Sequence, residues 1–167
     1  MAAVSSFVYD LAKGGLGISV LISGVNINTS VWSSTAAGAS FVWTLVTGSY
    51  IPNEAHVYFS AFSGSELSSA SYTGGHGGSI RLPVANRVLN MNTTSHQAEF
   101  QANSVTWSGI SAGTAAAFII GQVFASDGNS VLISLNSLAG FPIATNGTNL
   151  TLAPTSAGIF AGIDYVS

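Results

Sequence analysis

Proton transfer or metal binding by this chain would depend first on its histidines, which are His56, His76 and His96. They stand twenty residues apart, so no two of them form the close pair that commonly begins a zinc site. The acidic residues are also dispersed, and no D-x-D pattern indicates calcium. The spacing predicts no catalytic, metal-binding or cofactor-binding residue, and the chain is predicted not to be an enzyme. A hydrolase is an open alternative that would require a histidine, an acid and a serine in one cleft.

Glycine-rich stretches are the second feature that could bind a ligand. They are GGLG at Gly14–Gly17 and GGHGG at Gly74–Gly78. Neither continues as G-K-[ST], and neither lies between a strand and a helix in the order that a phosphate-binding loop needs. We interpret both as tight turns or bulges whose backbone needs a positive φ.

Tryptophan side chains on the surface would indicate a sugar-binding module, because sugar rings stack on them. Trp43 and Trp107 lie inside apolar strand patterns and are predicted to belong to the core. Trp32 is the tryptophan predicted to be exposed. A carbohydrate-binding attachment module that uses Trp32 is therefore an alternative function.

Charged residues are rare in this chain. Only 5% of the 167 residues are charged, whereas an ordinary globular protein has about 25%. The surface must therefore consist largely of Ser, Thr, Asn, Gly and Ala. Such a surface costs little to desolvate when its polar groups find partners. The composition favours a subunit that is covered by other subunits over a freely diffusing enzyme.

Several partners and compartments are disfavoured by the same composition. The net charge is −3, and Lys13, Arg81 and Arg87 are too few to follow a phosphate backbone, so no nucleic-acid partner is predicted. The chain has no cysteine, which excludes disulfides and thiolate metal sites. We see no secretory signal pattern at the N-terminus. The longest nearly apolar run, about residues 112–125, is shorter than the roughly 18 residues of a spanning helix, so no membrane partner is predicted.

Turn signals recur about every 8–12 residues between strand patterns, which predicts an all-β chain. One short helix is predicted at Ser5–Lys13, with Ser6 as its cap and Gly14 after its last residue. No linker is visible. We predict a single domain, residues 1–167, folded as an antiparallel β-sandwich of jelly-roll type in which residues 1–17 form an N-terminal helix or arm.

Three strand patterns are the most distinct. Phe41–Val46 is a nearly continuous apolar run, which is typical of a central strand covered on both faces. Ala115–Phe124 and Val131–Leu135 are predicted to pair as a hairpin around the turn Ser126–Asn129. Before them, the apolar alternation changes phase at Asn103–Ser104, and this predicts a bulge.

From Phe41 onward the motifs resemble, in order, a family of small structural proteins of tailed bacteriophages. The family pattern is an apolar strand followed by T-x-x-Y-x-P-N, an E-x-x-x-x-x-Y-T-x-G-G block, an F-x-A-x-x-V-x-W strand, a hairpin and a final G-[IV]-F. The matching segments here are TLVTGSYIPN (Thr44–Asn53), ELSSASYTGGHGG (Glu66–Gly78), FQANSVTW (Phe100–Trp107), FIIGQVFASDGNSVLISL (Phe118–Leu135) and GIF (Gly158–Phe160). The chain departs from the family in its scarcity of Asp and Lys, in Val31–Ser40 and in Gly140–Leu150.

The resemblance implies a β-sandwich virion protein. It suggests a head decoration or cement protein that binds the major capsid protein on the outer surface of the head, after assembly in the host cytoplasm. Analogy with decoration proteins in general suggests a homotrimer at local threefold positions. A tail, baseplate or adaptor protein is the competing placement. No cofactor is implied.

Overall fold

The computed structural model describes residues 7–8, 41–67, 81–92, 97–110, 112–124, 126–137, 140–154 and 160–161. For residues 7–8, 89–92, 97–99 and 160–161 it describes the backbone only. The strands in these residues are β1 (Phe7–Val8), β2 (Phe41–Val46), β3 (Leu82–Pro83), β4 (Val88–Asn92), β5 (Gln97–Gln101), β6 (Val105–Trp107), β7 (Gly113–Ala115), β8 (Ala117–Gln122), β9 (Val131–Asn136), β10 (Ile143–Thr145), β11 (Leu150–Leu152) and β12 (Phe160–Ala161). Two short 3₁₀ helices are Phe59–Ala61 and Ser63–Ser65.

The largest sheet has five antiparallel strands in the order β1-β9-β8-β2-β3, and we call it the main sheet. β2 pairs with β8 along its whole length, from Phe41 opposite Gln122 to Val46 opposite Ala117. All six side chains of β2 are buried, which confirms the prediction of a strand covered on both faces. The predicted hairpin of β8 and β9 around the turn at residues 126–129 is also confirmed.

The hairpin contains an irregularity in β9. Ile120 lies opposite Ser134, but the next residue of β8, Gly121, lies opposite Leu132. Ile133 is therefore an extra residue on β9, as in a β-bulge. Leu132 and Leu135 consequently pack in the same core cluster although they stand three residues apart, because the extra residue shifts the alternation of faces.

The first core cluster lies on one face of the main sheet. The main sheet contributes to it alternate side chains of β2 and β8 together with Ile133 of β9, and the three smaller sheets contribute side chains from β5, β6 and β7. Val84 and Ile110 come from connecting residues. These smaller sheets have the orders β12-β5-β4, β11-β6 and β10-β7. The buried members are Phe41, Trp43, Leu45, Val84, Phe100, Val105, Trp107, Ile110, Ala115, Phe118, Ile120 and Ile133. Burial of Trp43 and Trp107 confirms their prediction as core residues.

The second core cluster lies on the other face of the main sheet, beneath residues 47–65, which we call the covering segment. Its members are Val42, Val46, Tyr50, Phe59, Phe62, Ala117, Ile119, Leu132 and Leu135. Backbone hydrogen bonds attach the covering segment to β9, from Phe59 N to Ser130 O (2.9 Å) and from Leu132 N to Val57 O (2.9 Å). The inner strands of the main sheet, β2, β8 and β9, are therefore covered on both faces.

The all-β prediction is confirmed in the described residues, whose strands pair antiparallel. The helix predicted at Ser5–Lys13 does not include Phe7 and Val8, because these form β1 and lie opposite Leu135 and Ser134. Backbone groups on the outer edge of β9 need partners, and that need outweighs the weak local preference for helix. The other residues of that predicted helix lie outside the described residues. The single-domain boundary at residues 1–167 stays a prediction.

The phase change at Asn103–Ser104 is real, but its structural cause differs from the predicted bulge. β5 and β6 belong to different sheets, and residues 102–104 connect them. Phe100, Val105 and Trp107 are all buried, which confirms the apolar strand patterns predicted on both sides of the connection. Asn103 N donates to Ala85 O (3.0 Å), which fixes the connection.

Close packing at Gly121 predicts a large effect of adding one methyl group. A Cβ atom there would collide with the Phe59 ring and lie 2.7 Å from Val131 O. We expect Gly121→Ala to lower the free energy of unfolding by about 1–3 kcal/mol, the usual range for overpacking. Gly113→Ala is the matched control, because the nearest atoms to a Cβ in that strand are 3.6 Å away. Urea unfolding of both variants measures the difference, and equal midpoints would contradict this account.

Candidate functional site

Charged side chains converge at Arg81. Its Nε and one Nη donate to the two oxygens of Glu66, at 2.9 and 2.7 Å. The two Nη atoms donate to the oxygens of Asp127, at 2.7 and 3.0 Å. Thr44 Oγ1 donates to Glu66 Oε1 (3.0 Å). We call these four residues the Arg81 network.

Three separate elements position the Arg81 network. Glu66 follows the second 3₁₀ helix and forms a β-bridge with Val46 at the end of β2. Arg81 directly precedes β3, which pairs with the other end of β2. Asp127 lies in the turn between β8 and β9. The outer edge of β2 and the hairpin turn are thus joined by one guanidinium.

The Arg81 network is largely removed from water. The side chain of Arg81 is 0% exposed and that of Glu66 is 3% exposed, whereas Asp127 is 34% exposed. The guanidinium carbon also lies 4.8 Å from the centroid of the Phe59 ring, which adds a cation–π contact. Burial by itself lowers the pKa of Arg81, but hydrogen bonds to Glu66 and Asp127 and their charges outweigh it, and the net pKa lies well above its ordinary value. A permanently charged group that donates four hydrogen bonds to two carboxylates fixes structure and transfers no proton.

The second arginine of the described residues, Arg87, is buried as deeply as Arg81 but has no carboxylate partner among those residues. Its Nη1 donates to Val84 O (3.0 Å), its guanidinium lies 4.5 Å from the centroid of the Phe41 ring, and its Nε has no hydrogen-bond partner. Burial lowers the pKa of Arg87 below its ordinary value. The two arginines therefore differ in pairing and not in exposure.

Of the three histidines, His56 is the one within the described residues. It lies in the covering segment, where Tyr50 Oη and His56 Nδ1 share a hydrogen bond of 2.9 Å. His76, His96 and Trp32 lie outside the described residues. Within the described part of the chain, no three His, Cys, Asp or Glu residues are close enough to hold a metal ion. The described residues also include no helix long and apolar enough to cross a membrane.

The sequence predicted no site residue, and it therefore missed Glu66, Arg81 and Asp127. The alternation of Ile80, Arg81 and Leu82 predicts that Arg81 lies on the face opposite the two apolar side chains and is exposed, so this pattern did not indicate a buried partner. The identity of that partner could not be read, since Glu66 and Asp127 are 15 and 46 residues away. Asp127 was interpreted correctly as a turn residue, but its ion pair was not foreseen.

Comparison with known proteins does not indicate a function, which must therefore be argued from this geometry. No protein-family model matches the chain, and neither the curated proteins nor the solved structures include a significant match.

Removing one partner from the Arg81 network should cost stability in proportion to burial. We expect Glu66→Gln to lower the free energy of unfolding by about 3–5 kcal/mol, because the Arg81 charge then loses its most buried counterion. Asp127→Asn should cost about 1 kcal/mol or less, since that carboxylate is partly exposed and screened by solvent. Chemical denaturation of the two isosteric variants gives the ranking, and the reverse order would refute the assigned roles.

The two arginines should respond differently to the same substitution. Arg81→Met strands the Glu66 carboxylate, so we expect a loss of about 3–5 kcal/mol. Arg87→Met removes an unpaired buried charge along with one hydrogen bond, and these effects nearly cancel, which predicts a change within about 1 kcal/mol. Thermal unfolding of the two variants provides the comparison. A loss for Arg87→Met as large as that for Arg81→Met would show that Arg87 has a strong counterion.

Proposed function

We propose that this protein is a structural protein of a bacteriophage virion, most specifically a head decoration or cement protein. It binds the major capsid protein on the outer surface of the head lattice and stabilises that lattice. It acts as a homotrimer, catalyses no reaction and uses no cofactor. The proposal combines the ordered sequence motifs with the placement of charge in the structure.

The observation that supports the proposal most directly is that both arginines of the described residues are buried. The part of the surface that the structure describes therefore presents no Lys or Arg side chain, and its acidic side chains are Glu54, which is exposed, and Asp127, which is partly exposed and paired with Arg81. A cation-free surface is poorly suited to a phosphate backbone. A surface of hydroxyl, amide and methyl groups is well suited to burial against other subunits, because these groups cost less to desolvate than ions.

The fold proposal is an antiparallel β-sandwich of jelly-roll type in one domain. What supports it is the first core cluster, which receives side chains from the main sheet and from the smaller sheets. Residues 1–17 are proposed as an arm, and the pairing of β1 with β9 supports an attachment of this arm to the edge of the main sheet.

Stabilisation of the head would follow from mass action. A subunit that binds the assembled lattice and not its separate parts lowers the free energy of the assembled state by RT ln(1 + [L]/Kd) at each site. A stable interface of standard size buries roughly 1,600 Å² in total. Since the described surface has few ions, this burial would consist of apolar contacts and hydrogen bonds between uncharged groups.

Imaging of intact particles tests the placement. We expect cryo-electron microscopy of virions that carry this chain to show it on the outer face of the head, at threefold positions. Particles that lack the gene product should assemble, release their DNA at a lower temperature, and recover when the purified chain is added. Density for the chain in the tail, baseplate or head–tail connection would overturn the head assignment, and an unchanged release temperature would overturn the cement function.

The charge distribution also predicts how binding depends on salt. Occupancy of the head by added chain should change less than about twofold between about 0.05 M and about 0.5 M NaCl, because screening weakens ionic contacts and barely affects apolar ones. Sedimentation of particles after incubation with labelled chain measures the occupancy. A steep fall in occupancy with salt would show that the interface is electrostatic.

A further inference from the structure

A shallow cleft of about 550 Å³ lies on the outer side of the covering segment. Its lining residues come from one continuous stretch between Ser49 and Ser65, and they include no Asp, Glu, Lys or Arg. The cleft is therefore preformed by local chain geometry and has no fixed charge. Its volume falls in the range of about 300–1,000 Å³ that is usual for small-molecule sites.

A buried tyrosine fixes the position of a polar residue in the lining. Tyr50 is 5% exposed, packs edge-on against Phe62 at 6.0 Å between ring centroids, and shares the hydrogen bond with His56 Nδ1. Backbone hydrogen bonds from Tyr50 N to Thr47 O (3.3 Å) and from His56 N to Asn53 O (3.0 Å) hold the chain on either side. The imidazole is thus oriented before any ligand arrives, which reduces the entropy cost of binding.

Hydrogen-bonding groups remain in this lining. Among the described residues, His56 bonds through Nδ1 and Ser65 accepts at its carbonyl oxygen, which leaves His56 Nε2 and Ser65 Oγ for a ligand. Asn53 Oδ1 accepts from Ala55 N (3.0 Å), which leaves its amide NH₂ as a donor. Hydroxyl, amide and imidazole groups together both donate and accept hydrogen bonds, as a ligand rich in hydroxyl groups requires.

The lining also contains apolar side chains. Ile51 is 82% exposed, the highest value among the exposed large hydrophobic residues, and Pro52 follows it in the lining. An aliphatic side chain this exposed offers an apolar surface against which the C–H groups of a ligand can pack. Burial of that surface stabilises a complex by about 25 cal/mol for each Å² removed from water.

We propose that this cleft binds a neutral sugar ring. A sugar presents hydroxyl groups on its edge and C–H groups on its face. His56, Asn53 and Ser65 of the lining suit the hydroxyl groups, and Ile51 and Pro52 suit the C–H groups. An ionic ligand would need a counter-charge that the lining does not provide. This site does not depend on the decoration function, and it could exist on a head protein or on any other protein.

Titration of the full-length ¹⁵N-labelled chain with glucose, galactose, mannose and N-acetylglucosamine tests the proposal by NMR. We expect at least one of the four to shift the amide signals of residues 49–65 with a Kd of about 1–10 mM, typical of a small ligand in an open site. His56→Ala and Ile51→Asn should each weaken binding by about tenfold, a difference of about 1.4 kcal/mol. Val88→Asn is the matched control, because Val88 is another exposed aliphatic residue, remote in sequence from the cleft.

Two further measurements, one on a second variant and one with a different ligand, complete the test. Ser65→Ala removes one hydroxyl from a partly exposed position and should weaken binding, so it replaces His56→Ala if loss of the Tyr50 hydrogen bond disturbs folding. An uncharged acetylated tetrapeptide amide serves as the other class of ligand. Absence of shifts with all four sugars up to about 100 mM, equal affinity in the cleft variants, or shifts with the peptide alone would each overturn the proposal.

Discussion

One guanidinium, that of Arg81, meets two carboxylates that approach it from different parts of the chain. Glu66 holds the end of β2 through its β-bridge, β3 begins directly after Arg81, and Asp127 fixes the turn of the β8–β9 hairpin. The stacking of Phe59 on the same guanidinium connects the network to the second core cluster. The main sheet and the segment that covers it are thus positioned by the same ion.

Because several charged side chains of this protein are buried, its low content of charged residues has to be interpreted differently. A buried ion pair adds little net stability, since desolvation offsets attraction, but it can specify one arrangement among several. Many segments of this chain are rich in Ser, Gly and Ala and could replace one another at a strand edge. We infer that Glu66 and Arg81 specify which residues flank the outer edge of β2. The same placement leaves the described exterior without cations, which suits a surface that other subunits cover.

Local patterns in the sequence were sufficient for the strands and for most of the core. The apolar run of β2, the hairpin turn and the alternation around Trp107 depend on neighbouring residues, and these predictions were confirmed. The helix prediction failed at Phe7 and Val8, because the open edge of β9 decides their conformation and that edge is formed far away in the sequence. The same reason explains why the Arg81 network and the cleft could not be predicted. Their geometry depends on which strands become neighbours, and a single sequence does not encode that in any short spacing.

Pairing of Glu66 with Arg81 also fixes two points of the chain beside β2. Glu66 forms a β-bridge at one end of β2, Arg81 directly precedes β3 at the other end, and two short hydrogen bonds join the two side chains. The number of residues between them is therefore not set by any distance that they must span. Lengthening a closed loop costs only about 0.6 kcal/mol for each doubling of its length. The register beside β2 therefore depends on this ion pair and not on the length of the chain that joins its two residues.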